Sequence, residues 1–249
     1  MPPTNEPAQR VAVVTGGSRG IGRQCAERLA GDGISVVLNY VSGSAEAESA
    51  VDAVTAAGSK AIAVAGDVAD EDAMAELFDR ATDVFGGVDV VVNAAGRMVL
   101  APLVDFDLGV LDSLHRTNIR GTFVVSQQAA RRLRPGGSIV NFSSSVVGTS
   151  FPTYSVYAAS KGAVEALTLI LARELRGRDV TVNTVAPGPT ATHLFLDGKD
   201  EETISHLANA VPLERLGTPT DIAEVVAFLT SPAGHWVNGQ TLRVNGGLV

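Results

Sequence analysis

The chain has few of the residues that build disulfide frameworks, metal sites and nucleic-acid surfaces. It has one cysteine, Cys25, which excludes an internal disulfide and predicts a reducing compartment such as the cytoplasm. Its four histidines are scattered without metal-ligand spacing, so we expect no metal site. The formal net charge is −8 and no long run of Lys or Arg occurs, which argues against a nucleic-acid partner.

Long hydrophobic segments are also missing from the sequence. No apolar run approaches about 18 residues, the length typical of a membrane-spanning helix, so no membrane association is expected. Residues 1–9 read as a short polar tail without the apolar stretch of a signal peptide. The remainder, 10–249, shows no linker, repeat or low-complexity segment, and its length suits one large α/β domain.

Seven short apolar segments alternate with helical patterns. They cover residues 10–15, 35–39, 61–65, 88–93, 138–142, 180–185 and 241–244. Strands that are apolar on both faces and separated by helices are typical of a parallel sheet covered on both sides. We predict one long helix between the fourth and fifth strands, and another over 158–176. The one long irregular stretch, about 187–220, is long enough to indicate a lid over a site.

A glycine-rich turn, Thr-Gly-Gly-Ser-Arg-Gly-Ile-Gly, follows the first predicted strand and precedes a helix. Glycines allow a tight turn and close backbone approach, and a helix N-terminus offers free N–H groups to phosphate. The spacing Gly-x-x-x-Gly-x-Gly differs from the general dinucleotide fingerprint. The candidate phosphate-binding residues are Gly16, Ser18, Arg19, Gly20, Ile21 and Gly22.

The end of the second strand predicts the choice of cofactor. Folds that prefer NAD tend to place a carboxylate there for the ribose 2′-hydroxyl, whereas this chain has Tyr40 and then Ser42. No carboxylate is therefore present to repel a 2′-phosphate, and Arg19 is a candidate donor to it. The alternative is a solvated Arg19 beside an unselective ribose pocket. We predict that NADPH is preferred over NADH.

A phenol and an ammonium lie four residues apart at the start of the helix predicted over 158–176. The phenol belongs to the residue just before this helix and the ammonium to its first turn. Tyr157 and Lys161 would share one helix face. A nearby cation favours phenolate and lowers the pKa of the phenol, which would make Tyr157 a proton-transfer group. Alone, such a pair is more often a solvated helix face, so its meaning depends on the rest of the site.

Together these motifs resemble the short-chain dehydrogenase/reductase family, and the pattern is similar to its 3-oxoacyl-carrier-protein reductases. They follow the family's order: the glycine turn, Asn93-Ala94-Ala95-Gly96, a serine before Tyr157-x-x-x-Lys161, and Pro187-Gly188. Ala94 departs from the second Asn that many members carry. The resemblance implies a Rossmann-type doubly wound sheet of about seven strands in a single domain. It also implies reduction of a carbonyl to a secondary alcohol by hydride transfer from NADPH.

The resemblance implies a role for each matching catalytic position. Tyr157 would be the general acid in carbonyl reduction, and Lys161 would lower the pKa of Tyr157 and bind the nicotinamide ribose. Ser145 would donate a hydrogen bond to the substrate oxygen, with Ser144 as the alternative among three successive serines. Asn118 would position a water that links Lys161 to solvent.

Further matches imply cofactor contacts along the sheet. One of these residues, Asp67, has an alternative interpretation as a helix cap ahead of Ala73. The implied contacts are Asp67 and Val68 at the adenine, Asn93, Ala94 and Gly96 at the adenosine ribose, and Pro187, Gly188 and Thr190 at the carboxamide end of the nicotinamide.

The substrate is less visible in the sequence. Apolar residues within 190–216, together with Phe151 and Tyr154, predict a partly apolar carbonyl compound. A 3-oxoacyl thioester on acyl carrier protein is one candidate, and four arginines at 131, 132, 134 and 178 could receive an acidic carrier. The alternative for them is a solvated cationic face. A small ketone, a sugar or a steroid-like substrate stays open.

Assembly and function class each have an alternative as well. The resemblance implies a homodimer or homotetramer with contacts through the helices 111–133 and 158–176. A non-catalytic dinucleotide sensor or scaffold would use the same fold, because fold alone does not establish function. Tyr157, Lys161 and a serine at workable spacing favour the enzyme.

Overall fold

Buried, nearly continuous apolar strands form the centre of the fold. The computed structural model describes residues 9–249, so the predicted tail lies outside the described residues except for Gln9. The strands are β1 (Val11–Thr15), β2 (Ser35–Tyr40), β3 (Ala61–Ala65), β4 (Val88–Asn93), β5 (Leu133–Phe142), β6 (Val180–Pro187) and β7 (Thr241–Val244). All seven pair in parallel, in the order β3-β2-β1-β4-β5-β6-β7. The predicted doubly wound sheet is therefore confirmed.

Ten α-helices cover this sheet or cross its carboxyl edge within the described residues. Alternate strand residues face opposite sides, so Ala12 and Val14 pack against one helix layer while Val11 and Val13 pack against the other. The first layer holds α1, α2 and α10, and the second holds α3, α5 and α7. The helices are α1 (Gly20–Gly31), α2 (Ser44–Ala56), α3 (Glu71–Phe85), α4 (Leu108–His115), α5 (Gly121–Arg132), α6 (Val146–Thr149), α7 (Ser155–Glu174), α8 (His193–Leu196), α9 (Glu201–Asn209) and α10 (Pro219–Thr230).

The order of the strands fixes where a site can form. The chain runs outward from β1 to β3 and then returns to β4 on the other side of β1. The loops after β1 and β4 therefore leave the sheet in opposite directions, which opens a crevice at their carboxyl ends. The predicted site residues that follow β1, β4, β5 and β6 all lie at this edge.

Two sequence predictions are wrong in detail. The single long helix between β4 and β5 is divided, because a π-helical segment, Arg116–Arg120, separates α4 from α5. The stretch 187–220 is not irregular throughout, since it contains α8 and α9. Both of these helices begin at polar caps, where the side chains of Thr192 and Asp200 accept backbone N–H groups.

Helix α7 is the longest helix within residues 9–249. Over 20 residues it is long and apolar enough to cross a membrane by length and composition alone, a measure that core helices of soluble proteins also meet. One face of α7 is buried against the sheet and carries Tyr157 and Lys161 together with Val164, Thr168 and Leu171. Its apolar character therefore has an explanation within the fold.

Candidate active site

The glycine turn between β1 and α1 has the shape of a phosphate cradle. Gly16 has φ +63, and a Cβ there would lie 3.0 Å from the Ala95 Cα atom, so the turn packs directly on the loop after β4. A Cβ on Gly22 would lie 2.4 Å from the Gly16 carbonyl oxygen. These contacts leave room for hydrogen only, and they explain why glycine is needed at both positions.

The N-terminus of α1 is open to an anion. Its cap residue, Arg19, makes no side-chain capping bond, and the first turn contains no acidic residue. Free N–H groups and the positive end of a 12-residue helix favour a bound phosphate. Ser18 is buried in the turn and Ile21 is half-buried behind it. The residues present therefore fit the pyrophosphate of a dinucleotide.

A buried polar row fixes the strand ends that form the crevice. Thr15, Asn93, Asn141 and Thr184 lie side by side in register on β1, β4, β5 and β6. The Thr15 hydroxyl donates to the Asn93 Oδ1 atom at 2.9 Å, and the Asn93 amide donates to the Asn141 Oδ1 atom at 3.3 Å. The Asn93 side chain is thus used within the sheet, and the ribose contacts expected from Asn93, Ala94 and Gly96 stay a prediction.

At the end of the crevice where the adenosine of a dinucleotide would lie, the charges suit a ribose that carries a 2′-phosphate. Arg19 is exposed, and its guanidinium makes no hydrogen bond or ion pair within residues 9–249. Tyr40 is half-buried at the end of β2 and Ser42 is exposed just beyond it. No carboxylate follows β2 until Glu46 in α2. The prediction of an NADPH-selective end is consistent with this arrangement.

Asp67 has a partner that the sequence did not show. Its carboxylate pairs with Arg116 of the π-helical segment and accepts the Ala69 N–H at 2.9 Å. Burial raises its pKa, but the Ala69 and Arg116 contacts together outweigh burial and hold the pKa below its usual range. The alternative interpretation, a cap of α3, is wrong because Asp70 caps that helix. Adjacent Val68 is buried against Gly121 of α5.

Tyr157 is buried at the first turn of α7. Burial raises its pKa to about 12, and the nearby charge of Tyr154 adds to the rise, while hydrogen bonding to Ser144 partly opposes it. Lys161 is not among the groups that shift this pKa, so the expectation that it lowers the pKa of Tyr157 stays a prediction. The Lys161 Nζ atom lies 5.8 Å from the centre of the Tyr157 ring and donates instead to the Phe142 carbonyl at 2.8 Å. Tyr157 is therefore a protonated phenol at neutral pH.

Lys161 is a buried ammonium whose pKa lies close to neutral pH. It is 5% exposed, and burial lowers its pKa to about 8. A Cβ on Gly96 would lie 3.5 Å from both the Lys161 Nζ atom and the Asn118 Oδ1 atom. The absence of a side chain at Gly96 thus preserves the space that these two polar groups share.

Asn118 is held inside the π-helical segment. Its Oδ1 atom accepts the Arg97 N–H at 2.9 Å, and its amide donates to the Arg97 carbonyl at 2.9 Å and to the Ser160 hydroxyl at 3.1 Å. The side chain therefore clamps the loop after Gly96 to helix α7. The predicted water that links it to Lys161 stays a prediction.

The three serines after β5 point in different directions. Ser143 donates to the Glu165 carboxylate at 2.6 Å, whereas Ser145 donates to the Ala186 carbonyl at 3.1 Å and accepts the Asn245 amide at 3.0 Å. Ser144 is half-buried and interacts with Tyr157. Because the Ser145 hydroxyl already has partners within the chain, Ser144 becomes the preferred candidate for the serine that faces a substrate, and the choice between them stays a prediction. The sequence could not distinguish them, because the turn after β5 decides which hydroxyl points at Tyr157.

The segment after β6 lies beside this serine turn. The Ser145 N–H donates to the Pro187 carbonyl at 2.9 Å, and the Gly188 N–H donates to the Val244 carbonyl at 3.0 Å. Thr190 is buried and bonds to the Gly188 carbonyl. Thr192, which sequence reasoning missed, lies over Gly20, since a Cβ there would be 3.8 Å from its methyl group. The segment from 187 therefore reaches back across the crevice to the glycine turn.

The crevice combines a dinucleotide cradle at one end with a buried proton donor at the other. A nicotinamide ring supplies hydride, and the protein must supply orientation and a proton. The fold and this site together define an oxidoreductase that depends on a nicotinamide nucleotide. Among residues 9–249, no group of three or more His, Cys, Asp or Glu side chains is arranged to hold a metal ion.

Comparison with known proteins gives the family. The family model described as enoyl-(acyl carrier protein) reductase matches residues 16–249. A short-chain type dehydrogenase/reductase of Picea abies is 44% identical, over 96% of this chain and 92% of the relative. An NADPH-dependent aldehyde reductase-like chloroplastic protein of Arabidopsis thaliana is 40% identical, over 97% of this chain and 95% of the relative. The chain belongs to the short-chain dehydrogenase/reductase family.

A solved structure agrees with this conclusion. A short-chain dehydrogenase of Burkholderia cenocepacia in complex with NADP superposes with a TM-score of 0.91. The two sequences are 38% identical, and the match covers 98% of this chain and 99% of the other. The similarity therefore extends over the whole sheet and over the segments that surround the crevice.

Proposed function

We propose that the protein reduces an aldehyde or ketone to the alcohol with NADPH as the hydride donor. The observation that carries the proposal is the placement of Tyr157, which is buried at the carboxyl edge of the sheet with the buried Lys161 ammonium 5.8 Å from its ring centre. A protonated phenol beside the nicotinamide end of the crevice is suited to give a proton to a carbonyl oxygen. When bound, NADPH supplies the hydride to the carbonyl carbon.

Each residue near Tyr157 has a separate task in this reaction. Ser144 donates a hydrogen bond to the substrate oxygen and stabilises the negative charge that develops there. Lys161, with its pKa near 8, carries a proton that can replace the one Tyr157 gives up. Asn118 and Gly96 keep the space around the Lys161 ammonium open. The protein thus orients the reactants and moves one proton.

The preference for NADPH rests on the charge at the adenosine end. Arg19 is available to a 2′-phosphate, and β2 ends without a carboxylate that would repel it. The Burkholderia cenocepacia structure, which contains NADP, and the Arabidopsis thaliana relative, named NADPH-dependent, support this choice. Contacts from Asp67, Val68, Pro187 and Thr190 complete the proposed cofactor site.

The substrate that fits best is a freely diffusing, partly apolar aldehyde or ketone. Docking of an acyl carrier protein has little support, because three of the four candidate arginines already bind within the chain. Arg132 pairs with Asp79, Arg134 pairs with Asp89, and Arg178 donates to the Ala130 carbonyl at 3.1 Å. The name aldehyde reductase in a close relative points the same way.

Assembly and location complete the proposal. Helices α5 and α7 expose large apolar side chains, including Phe123 at 49% and Ile170 at 56%, as expected for a homodimer or homotetramer that buries these helices. Light scattering after size-exclusion chromatography would measure the mass.

A cytoplasmic location is proposed from the lone cysteine, although the Arabidopsis thaliana relative is named chloroplastic.

The test replaces the proton donor and keeps its ring. Tyr157→Phe should bind NADPH with nearly unchanged affinity and lose roughly 10²–10⁴-fold in kcat, the usual contribution of a positioned acid. Fluorescence titration gives the affinity, and NADPH absorbance with a panel of aldehydes and ketones gives the rate. Undiminished turnover would contradict the assignment. Tight NADPH binding by the wild type without reduction of any panel member would favour the sensor.

A further inference from the structure

Two aromatic rings, those of Phe151 and Tyr154, pack in succession next to the ring of the proton donor, Tyr157. The centres of the Phe151 and Tyr154 rings are 6.1 Å apart, and those of Tyr154 and Tyr157 are 6.5 Å apart at an interplanar angle of 61°. Phe151 and Tyr154 are half-buried, whereas Tyr157 is buried. Tilted and edge-to-face packing of this kind fixes ring orientation.

The loop that carries Phe151 and Tyr154 is conformationally strained. Ser150 has φ +54 and Thr153 has φ +72, in the left-handed region that non-glycine residues seldom occupy and β-branched residues avoid. The Thr153 carbonyl accepts the Ala101 N–H at 3.3 Å, which ties the loop to the segment after β4. Strain of this kind persists where surrounding contacts impose it and is concentrated at ligand-binding positions.

The Tyr154 hydroxyl is available to a ligand. Within residues 9–249 it makes no hydrogen bond, and burial raises its pKa, so it is a neutral donor at working pH. Its ring packs edge-on against that of Tyr157, with the ring centres 6.5 Å apart. The proposed reaction assigns tasks to Tyr157, Ser144 and Lys161 and leaves this donor without one.

We propose that Tyr154 is a specificity-determining residue that hydrogen-bonds a second oxygen of the substrate, on the carbon next to the reacting carbonyl. This inference rests on the proposed function and names its substrate class: aldehydes and ketones with an adjacent hydroxyl or carbonyl and a flat apolar substituent. Because the Tyr154 ring packs against that of Tyr157, a donor on Tyr154 is placed to bind a substrate group close to the reacting carbonyl. The flat substituent packs against Phe151, whose ring continues the row.

Two matched probes and one conservative variant test the inference. Acetophenone and α-hydroxyacetophenone share the aromatic ring and the ketone and differ only in the second oxygen. Tyr154→Phe keeps the ring and removes the hydroxyl. We expect it to lower kcat/KM about two- to tenfold for the hydroxylated probe, the effect of one neutral hydrogen bond, and less than about twofold for acetophenone. Phe151→Leu is the matched control and should lower kcat/KM for both probes alike.

The outcomes separate this inference from the function on which it rests. A wild type that shows no preference for the hydroxylated probe, or equal losses on both probes in Tyr154→Phe, would overturn the role of Tyr154 and leave carbonyl reduction intact. Failure of the wild type to oxidise NADPH with any aldehyde or ketone would overturn both. Unchanged NADPH affinity in Tyr154→Phe would show that the variant is folded and that the loss belongs to substrate recognition.

Discussion

Replacing Lys161 with methionine should stabilise the fold while it abolishes the activity. Burial lowers the pKa of Lys161 from its ordinary value of 10.5 to about 8. At about 1.4 kcal/mol per pKa unit, keeping the charged ammonium buried at pH 7 costs about 3 kcal/mol of folding free energy. Methionine has a similar length and carries no charge, so Lys161→Met removes this cost.

One lost hydrogen bond offsets part of that gain. The Lys161 Nζ atom donates to the Phe142 carbonyl at 2.8 Å, and leaving this buried acceptor unpaired costs about 1–2 kcal/mol. The net expectation is a variant more stable than the wild type by about 1–2 kcal/mol near pH 7. Stability that is lost to keep a charged group in place is a familiar consequence of enzymatic function.

The dependence on pH identifies the cause. The pKa of Lys161 is depressed on folding, so below about pH 8 both the folded and the unfolded wild type hold the proton and its penalty is constant. Between the folded and unfolded pKa values the unfolded chain binds more protons, and wild-type stability rises with pH. From about pH 7 to about pH 9.5, the free energy of unfolding of the wild type should therefore rise by about 2 kcal/mol relative to that of Lys161→Met. The Tyr157 contribution changes only above its ordinary pKa of 10, outside this window.

Urea denaturation followed by circular dichroism at both pH values measures this difference. Lys60→Met, at an exposed lysine, is the matched control and should show no such change in its difference from the wild type. A stability difference between Lys161→Met and the wild type that stays constant over the window would refute the reasoning. In that case the ammonium is solvated, and burial does not set its pKa.

Three further predictions concern the cofactor and the serine turn. Arg19→Ala should weaken NADPH binding about ten- to 150-fold by titration, the effect of one charge-assisted hydrogen bond, with little change for NADH; equal losses would make Arg19 a surface charge. Ser144→Ala should reduce kcat about 10²-fold or more, whereas Ser145→Ala should mainly lower the unfolding midpoint; the reverse order would restore Ser145 as the substrate-facing residue. Gly22→Ala should abolish detectable binding of both dinucleotides, because its Cβ would collide with the Gly16 carbonyl oxygen; binding within about tenfold of the wild type would contradict this cradle geometry.

The sheet could be predicted from the sequence to within about two residues at each strand end, except that β5 begins at Leu133 and not at the predicted residue 138. Three strands, β3, β4 and β7, have the predicted bounds, because β-branched apolar runs bounded by turn residues have few other ways to be buried. The helices are harder to predict from the sequence than the strands. The π-helical segment that holds Asn118 has no sequence signal distinct from an ordinary helix, and α8 and α9 are short and depend on local caps.

The positions of the site were predictable, whereas its electrostatics were not. Tyr157, Lys161, Asn118 and the glycine turn meet at one edge of the sheet because each follows or faces the end of a parallel strand. The pKa of Tyr157 depends on burial and on where the Lys161 ammonium points, and neither is encoded in the spacing of the two residues. For the same reason Ser144 and Ser145 could be separated only by their hydrogen bonds.

The central claim is that hydride passes from NADPH to a carbonyl carbon while Tyr157 supplies the proton. The most direct measurement supplies NADPH deuterated at C4, on the face that is transferred, and analyses the alcohol product by mass spectrometry for wild type and Tyr157→Phe. The account predicts one deuterium on the alcohol carbon with the wild type and almost no labelled product with the variant. An unlabelled alcohol from the wild type, or equal amounts of labelled product from both proteins, would contradict it.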